Sequence, residues 1–187
     1  MGRIDQLADR YERHIAPLWQ RNLAGAERTV FIVYPKEDER RLRAHRHDFE
    51  VRTRNAGHRW KEFDFTGVFP AWMAADEYRD AYFECPEDLD LKLDSEFTDY
   101  ATGQLRAALT ATDVDNHTVV GVFGAATLYG FTRLSKVLRG VEADIRGRLL
   151  LFFPGEYEDN NYRLLDARDG WNYLAVPITL HNGDIDQ

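Results

Sequence analysis

The chain has 187 residues, 44% of them hydrophobic and 13% aromatic, and a mass of 21.7 kDa, enough for one sizeable core and too little for two ordinary domains. Its net charge of −8 argues against a general affinity for phosphate backbones, which depends on clustered Lys and Arg. No stretch approaches the ~18 uninterrupted apolar residues of a membrane helix, and Met1-Gly2-Arg3-Ile4-Asp5 turns polar at once, so the expectation is a cytoplasmic protein.

Ile4, Leu7, Ala8, Tyr11, Ile15, Leu18 and Trp19 fall on one face of a 3.6-residue period and predict an amphipathic helix within residues 3–24. Pro17 lacks an N–H and crowds the preceding turn, so the helix should kink or end near Ala16. Thr29–Tyr34, a β-branched and aromatic run stopped by Pro35, reads as a strand buried on both faces. A polar helix is expected over 36–56, ended by Gly57, and a second strand over Trp60, Phe63 and Phe65. Helices are expected at about 68–83 and 95–111, with the acidic stretch Glu84–Asp94 as a loop between them. Thr118–Phe123 reads as strand three, Phe131–Ile145 as a helix, and Leu149–Phe153 as strand four, stopped by Pro154-Gly155. Crossovers of about 24 residues or more cannot be hairpins. They imply an α/β fold of three layers, α/β/α, with a mainly parallel sheet of four core strands. Tyr162–Leu165 and Tyr173–Ile178, separated by Asp169-Gly170, suggest a C-terminal antiparallel hairpin. The whole reads as a single domain over residues 1–187.

Charge is segregated along the chain. Residues 40–61 carry eight Lys/Arg, among them Arg40, Arg41 and Arg43, against Asp48 and Glu50, whereas residues 76–99 carry ten Asp/Glu against Arg79 and Lys92. Two solvated helix faces, facing one another or not, account for this pattern; so does a steering surface for a partner.

A buried strand that ends in glycines and opens a helix is where parallel α/β sheets bind phosphate. Gly121, Gly124 and Gly130 mark such a place. A P-loop, however, needs four residues between its glycines and then Lys-Ser/Thr; here five separate Gly124 from Gly130, and Phe131 takes the lysine position. The glycines therefore read as a structural loop that allows a tight turn and close strand-to-helix packing. Pro154-Gly155-Glu156-Tyr157 reads as a type II turn at the same carboxyl edge, placing Glu156 and Tyr157 beside that loop. One carboxylate and one phenol make a thin acid–base pair.

The two imidazoles of His45-Arg46-His47 point about 200° apart on a helix and cannot share an ion. His14, His58, His117 and His181 have no acidic or cysteine companion at ligand spacing. Asp88, Asp90 and Asp94 miss the calcium-loop pattern, since Leu93 and Asp99 stand where Gly and Glu are needed. Cys85 is the lone cysteine, set among Glu84, Pro86 and Glu87, and reads as an inert thiol. No Gly-x-Ser-x-Gly elbow occurs. The inventory offers no catalytic group, metal set or cofactor.

Several stretches carry a resemblance: Tyr34-Pro35-Lys36-Glu37-Asp38-Glu39, the Trp60-to-Phe65 strand, Gly121–Ala125 leading to Phe131–Leu138 with Arg133 inside it, and above all Leu151-Phe152-Phe153-Pro154-Gly155-Glu156-Tyr157. Over residues 28–178 the chain resembles the BrxB family, small components of BREX systems that restrict phage and accompany host DNA methylation. The family's C-terminal tyrosines are usually followed by a basic residue, whereas here the chain reads Asn172-Tyr173-Leu174-Ala175-Val176-Pro177. The resemblance implies a non-catalytic adaptor in a multi-protein defence assembly, with a PglZ-like component as direct partner and any DNA contact made within the assembly. The residues offered for partner binding are Pro154, Gly155, Glu156, Tyr157, Arg133, Arg40, Arg41 and Arg43. The competing expectation is a divergent nucleotide-binding or nucleotide-sensing domain with a degenerate phosphate loop at 118–138.

Overall fold

Period-2 alternation between two apolar faces organises the centre of the molecule. In the computed structural model, which describes residues 2–180, seven strands form: β1 (Thr29–Tyr34), β2 (Arg59–Asp64), β3 (Thr118–Phe123), β4 (Arg148–Glu158), β5 (Asn161–Leu164), β6 (Trp171–Asn172) and β7 (Val176–Ile178). Five of them make a parallel sheet in the order β2-β3-β4-β1-β7. Phe31 and Val33, Val120 and Val122, and Leu149, Leu151 and Phe153 all enter one core. Their neighbours Val30, Ile32 and Tyr34, Val119 and Phe123, and Leu150 and Phe152 enter the other. A sheet covered on both sides explains why the central strands are continuously apolar.

Three helices cover the second face: α1 (Arg3–Ile15), α2 (Glu39–Ala44) and α3 (Arg46–Asn55). α1 buries Ile4, Leu7, Ala8, Tyr11 and Ile15 there, at about 2 kcal/mol for each large aliphatic side chain. The first face is covered by α4 (Val68–Ala74) and, beyond the outlying α5 (Arg79–Glu84) and the single turn α6 (Asp90–Lys92), by α7 (Thr98–Leu109) and α8 (Leu134–Val141).

Several elements depart from the sequence expectation. α1 ends at Ile15, two residues before Pro17, and residues 16–24 are not helical. The 36–56 helix is a 3-10 turn, Lys36–Asp38, followed by two helices that break at His45, whose backbone (φ −99, ψ 9) leaves the helical region. Glu84–Asp94 is helical rather than a loop: Pro86–Leu89 is a 3-10 turn that leads through α6 and a π turn, Leu93–Phe97, into α7. The acidic side chains face outward while Leu89, Leu93 and Phe97 are buried. The helix expected from Phe131 starts at Leu134, because the chain first closes a 3-10 turn, Ala125–Leu128, and then passes Gly130 at φ +83.

Pro154-Gly155 is not a turn. β4 runs through it, leaving its parallel neighbours and pairing antiparallel with β5. A proline is tolerated at this handover, where its carbonyl still accepts from the Leu165 N–H at 2.9 Å. Gly155 is required by close approach, since a Cβ there would stand 2.1 Å from the Arg163 carbonyl oxygen. The turn that does exist is Asp159-Asn160, with φ of +49 and +63, a two-residue hairpin loop of the primed kind. A C-terminal antiparallel pair does form across Asp169-Gly170, but β5 meets β6 at Trp171–Asn172, just before the run expected to pair with it. Val176–Ile178, the far end of the expected hairpin, instead joins β1 as the fifth parallel strand.

Candidate functional site: the carboxyl edge and the acidic excursion

β1 and β4 lie side by side, and their chains leave the sheet toward opposite faces. Such a switch point is where open α/β sheets hold ligands. A cavity of about 410 Å³ lies there, lined by Arg3, Lys36, Glu37, Glu156 and Asp166 together with Tyr34 and Gly155. Its charges largely answer one another: Lys36 pairs with Asp166, and Arg3 reaches the buried Asp38 at 2.7 Å. The Tyr34 hydroxyl donates to Glu39 at 2.5 Å. Burial first, and the Glu39 carboxylate second, push that phenol far above its ordinary value, so it stays protonated and is spent on a structural contact.

The glycine loop sits at the carboxyl end of β3. Gly124 adopts φ +75, and a Cβ there would stand 2.4 Å from Asp64 Oδ1, so both conformation and space demand glycine. Asp64 Oδ1 accepts from the Thr66 N–H at 2.9 Å and the Thr66 hydroxyl at 2.6 Å, while Arg43 Nη1 donates to Oδ2 at 2.9 Å. Burial is the largest single influence on Asp64 and opposes its charge, but these hydrogen bonds together outweigh it and hold the carboxyl below its ordinary value. A fixed carboxylate therefore occupies the space where a phosphate would approach Gly124. Gly121 does not serve the turn either. It lies mid-strand, where a Cβ would meet the Trp60 indole at 2.5 Å.

Glu156 and the Gly130 end of the glycine loop line different cavities. Glu156 lines the 410 Å³ cavity, whereas Gly130 and Arg133 line a separate hollow of about 530 Å³ whose other wall is Leu164 with residues 166–171; the lining residues share Asp166 alone. Pro154 is buried, Glu156 points outward 3.6 Å from Arg163, and the Tyr157 hydroxyl donates to Asn160 at 3.1 Å. The three arginines of α2 also separate. Arg40 and Arg41 are exposed, while Arg43 turns inward to Glu39, Asp64 and Thr66. Arg133 is exposed at the N-cap of α8.

The basic and acidic segments do not face each other. Segment 40–61 packs on the second face and the β2 edge, and its cations pair with Asp9, Glu12, Glu39, Glu50, Asp113 and Asp115 among others. Segment 76–99 lies over the first face. There Lys92 holds Asp76 at 3.1 Å and Lys136 holds Asp94 at 2.6 Å, whereas Glu77, Glu84, Glu87, Asp88 and Asp90 form no ion pair among the described residues. Tyr78, Phe83 and Leu91 stand 65%, 68% and 88% exposed in the same excursion. Sequence reading missed this apolar set, because Phe83 and Leu91 looked like ordinary positions on a helix and in a loop.

His45 and His47 contact different carboxylates, Asp48 at 2.9 Å and Glu50 at 3.2 Å. Asp5 of α1 approaches His45 and Asp48, so that three possible ligand atoms lie within 4.8 Å of one another. Asp5 is already engaged as a helix cap, accepting from the Gly2 N–H at 2.8 Å. His181 lies outside the described residues.

These features define an α/β protein with a five-stranded parallel sheet, and no helix among the described residues is long and apolar enough to cross a membrane. Comparison with protein-family models, curated proteins and solved structures gives no match.

Proposed function

We propose that the chain is a cytoplasmic, non-catalytic, protein-binding subunit of a BREX-type anti-phage assembly, docking on a PglZ-like component. The observation that carries protein binding is the excursion 76–91, which exposes Tyr78, Phe83 and Leu91 among carboxylates of which Glu77, Glu84, Glu87, Asp88 and Asp90 have no ion-pair partner among the described residues. Exposed large apolar side chains in a mainly acidic stretch suit a partner surface that offers apolar contacts and basic residues. The BREX setting rests on the resemblance of residues 28–178 to the BrxB family. Its most specific stretch, Leu151–Tyr157, has a structural role here, carrying the central strand out of the sheet into the β4–β5 ribbon. Arg40 and Arg133 are exposed and form no ion pair among the described residues, and Arg41 is exposed beside Asp38 at 3.4 Å; these serve secondary contacts, including DNA within the assembly, whereas Pro154, Gly155 and Arg43 are taken up by the fold.

Co-purification tests the reading. Tagged chain should retain the PglZ-like component at micromolar concentration, and Phe83→Asp with Leu91→Asp should release it. Retention of no BREX component by the unaltered chain would defeat the proposal.

A further inference from the structure

The opposite, amino edge of the sheet gathers positive charge that no carboxylate of the same cavity answers. Residues immediately before β1, β2 and β3, together with the start of β4, converge there, and the segment after α1 closes over them. The resulting cavity, of about 510 Å³, is lined by Arg21, Arg28, Arg146, Arg148, His58 and His117, and no Asp or Glu lines it. In the adjoining hollow Glu27 is present, engaged by the Ala24 N–H at 2.9 Å. Most other arginines of the protein pair with carboxylates; none of these four does so among the described residues.

The arginines are held in place without being neutralised. Arg28 Nη1 donates to the Ile145 carbonyl at 2.9 Å, Arg146 Nη1 to Val114 at 2.8 Å, and Arg148 Nη2 to Gln20 at 3.3 Å. Backbone carbonyls orient a guanidinium but cancel none of its charge. One buried donor of the set, Arg28 Nε, has no hydrogen-bond partner, a costly condition for a buried donor. Trp19 makes the floor: its indole stacks on His58 at 3.8 Å and 15°, and the Arg148 guanidinium lies 4.6 Å from its centre. The crowding registers on the groups themselves. Burial first, and then the Arg28 charge, lower Arg148; burial, and then His117 and Arg148 among the charges, lower His58.

We propose that this cavity binds a small phosphate-bearing anion, with Arg28, Arg146 and Arg148 as its principal ligands. Guanidinium forks match phosphoryl oxygens two at a time, and the volume lies within the range of small-ligand pockets, roughly 300–1,000 Å³. The phosphoryl group could come from a free nucleotide or from the phosphorylated end of a nucleic acid. This site is independent of the docking surface at 76–91 and of the Gly124 loop, which lies at the other end of the strands.

Calorimetry on the full chain tests it with four probes: inorganic pyrophosphate, ATP without metal, and a short oligonucleotide with and without a 5′-phosphate. Micromolar binding of pyrophosphate or ATP, weakened at least tenfold by Arg146→Gln with Arg148→Gln, supports the site. ATP at least tenfold tighter than pyrophosphate identifies a nucleotide pocket, and dependence on the 5′-phosphate identifies a nucleic-acid end. Arg146→Lys, which keeps the charge but loses the fork, should weaken binding less than Arg146→Gln does, and thermal melting confirms that each variant folds. Absence of all binding below millimolar concentration overturns the proposal. So does binding that survives Arg146→Gln with Arg148→Gln, binding lost instead on Gly124→Val, or oligonucleotide binding indifferent to the 5′-phosphate with pyrophosphate and ATP silent.

Discussion

Replacing Gly155 by Ala tests whether the Pro-Gly step is strand, as the structure has it, or turn. In the strand a new Cβ stands 2.1 Å from the Arg163 carbonyl oxygen and 2.9 Å from Phe153 Cε1. Restoring an ordinary contact requires β5 to retreat by about 1 Å, which stretches ribbon hydrogen bonds such as Leu165 N–H to Pro154 O at 2.9 Å. β5 cannot simply detach, because Tyr162 is fully buried and its ring lies 4.4 Å from Phe31. Two or three weakened hydrogen bonds at roughly 1 kcal/mol each, with strain in the Tyr162 packing, give about 2–4 kcal/mol. For a chain of this size that is about 5–15 °C in melting temperature. Gly103 is the matched control: it lies inside α7, where an added Cβ would meet nothing within 4 Å, so Gly103→Ala should stabilise by roughly 0.5–1 kcal/mol. Urea unfolding and thermal circular dichroism read both. A Gly155→Ala protein within ~0.5 kcal/mol of the parent would refute the strand assignment and its energetic reasoning.

Tyr11→Phe should cost about 1–1.5 kcal/mol, because Thr53 already donates to the Phe49 carbonyl at 2.7 Å and the Tyr11 hydroxyl supplies its donor at 2.6 Å; adding Thr53→Val should recover part of that loss, a coupling that chemical denaturation of the four proteins measures. Arg43→Met should destabilise by only about 0.5–1 kcal/mol, since its pair with Asp64 is partly exposed and solvent-screened. Asp64 has a folded pKa below its unfolded one, so its contribution is present at neutral pH and is lost as pH falls through the folded value. The Arg43→Met penalty should therefore shrink in urea titrations taken from pH 7 toward the acid limb, and a penalty that grew would contradict the sign. Phe83→Ser and Leu91→Ser should leave stability within ~0.5 kcal/mol while reducing partner capture, because both side chains are mostly exposed.

The centre of the sheet was legible because Thr29–Tyr34, Thr118–Phe123 and Leu149–Phe153 are apolar on both faces, a pattern few other structures accept. The end of α1 was legible from Pro17. Pro154-Gly155 misled because both residues usually punctuate, and only the partner strand reveals that the glycine answers the Arg163 carbonyl. The readable signal was one step further on, in Asp159-Asn160, a dipeptide suited to two consecutive positive φ angles. Val176–Ile178 offers three residues to a parallel neighbour nearly 150 positions earlier, so local pattern could not assign it. The amino-edge cavity was hidden for the same reason: Arg28, His58 and Arg146 belong to separate stretches and meet only where strand ends align. The exposed set was hidden because Tyr78 and Phe83 fall in an expected helix and Leu91 in an expected loop, whereas Tyr78 only precedes the short helix Arg79–Glu84 and Leu91 sits in the turn Asp90–Lys92.

Hydrogen exchange on the chain, alone and with a PglZ-like partner, tests the docking account most directly. The account predicts slowed exchange over residues 76–91, with the β4–β5 ribbon unchanged. Protection confined to the ribbon or to α2, with 76–91 exchanging as in the free chain, would contradict it.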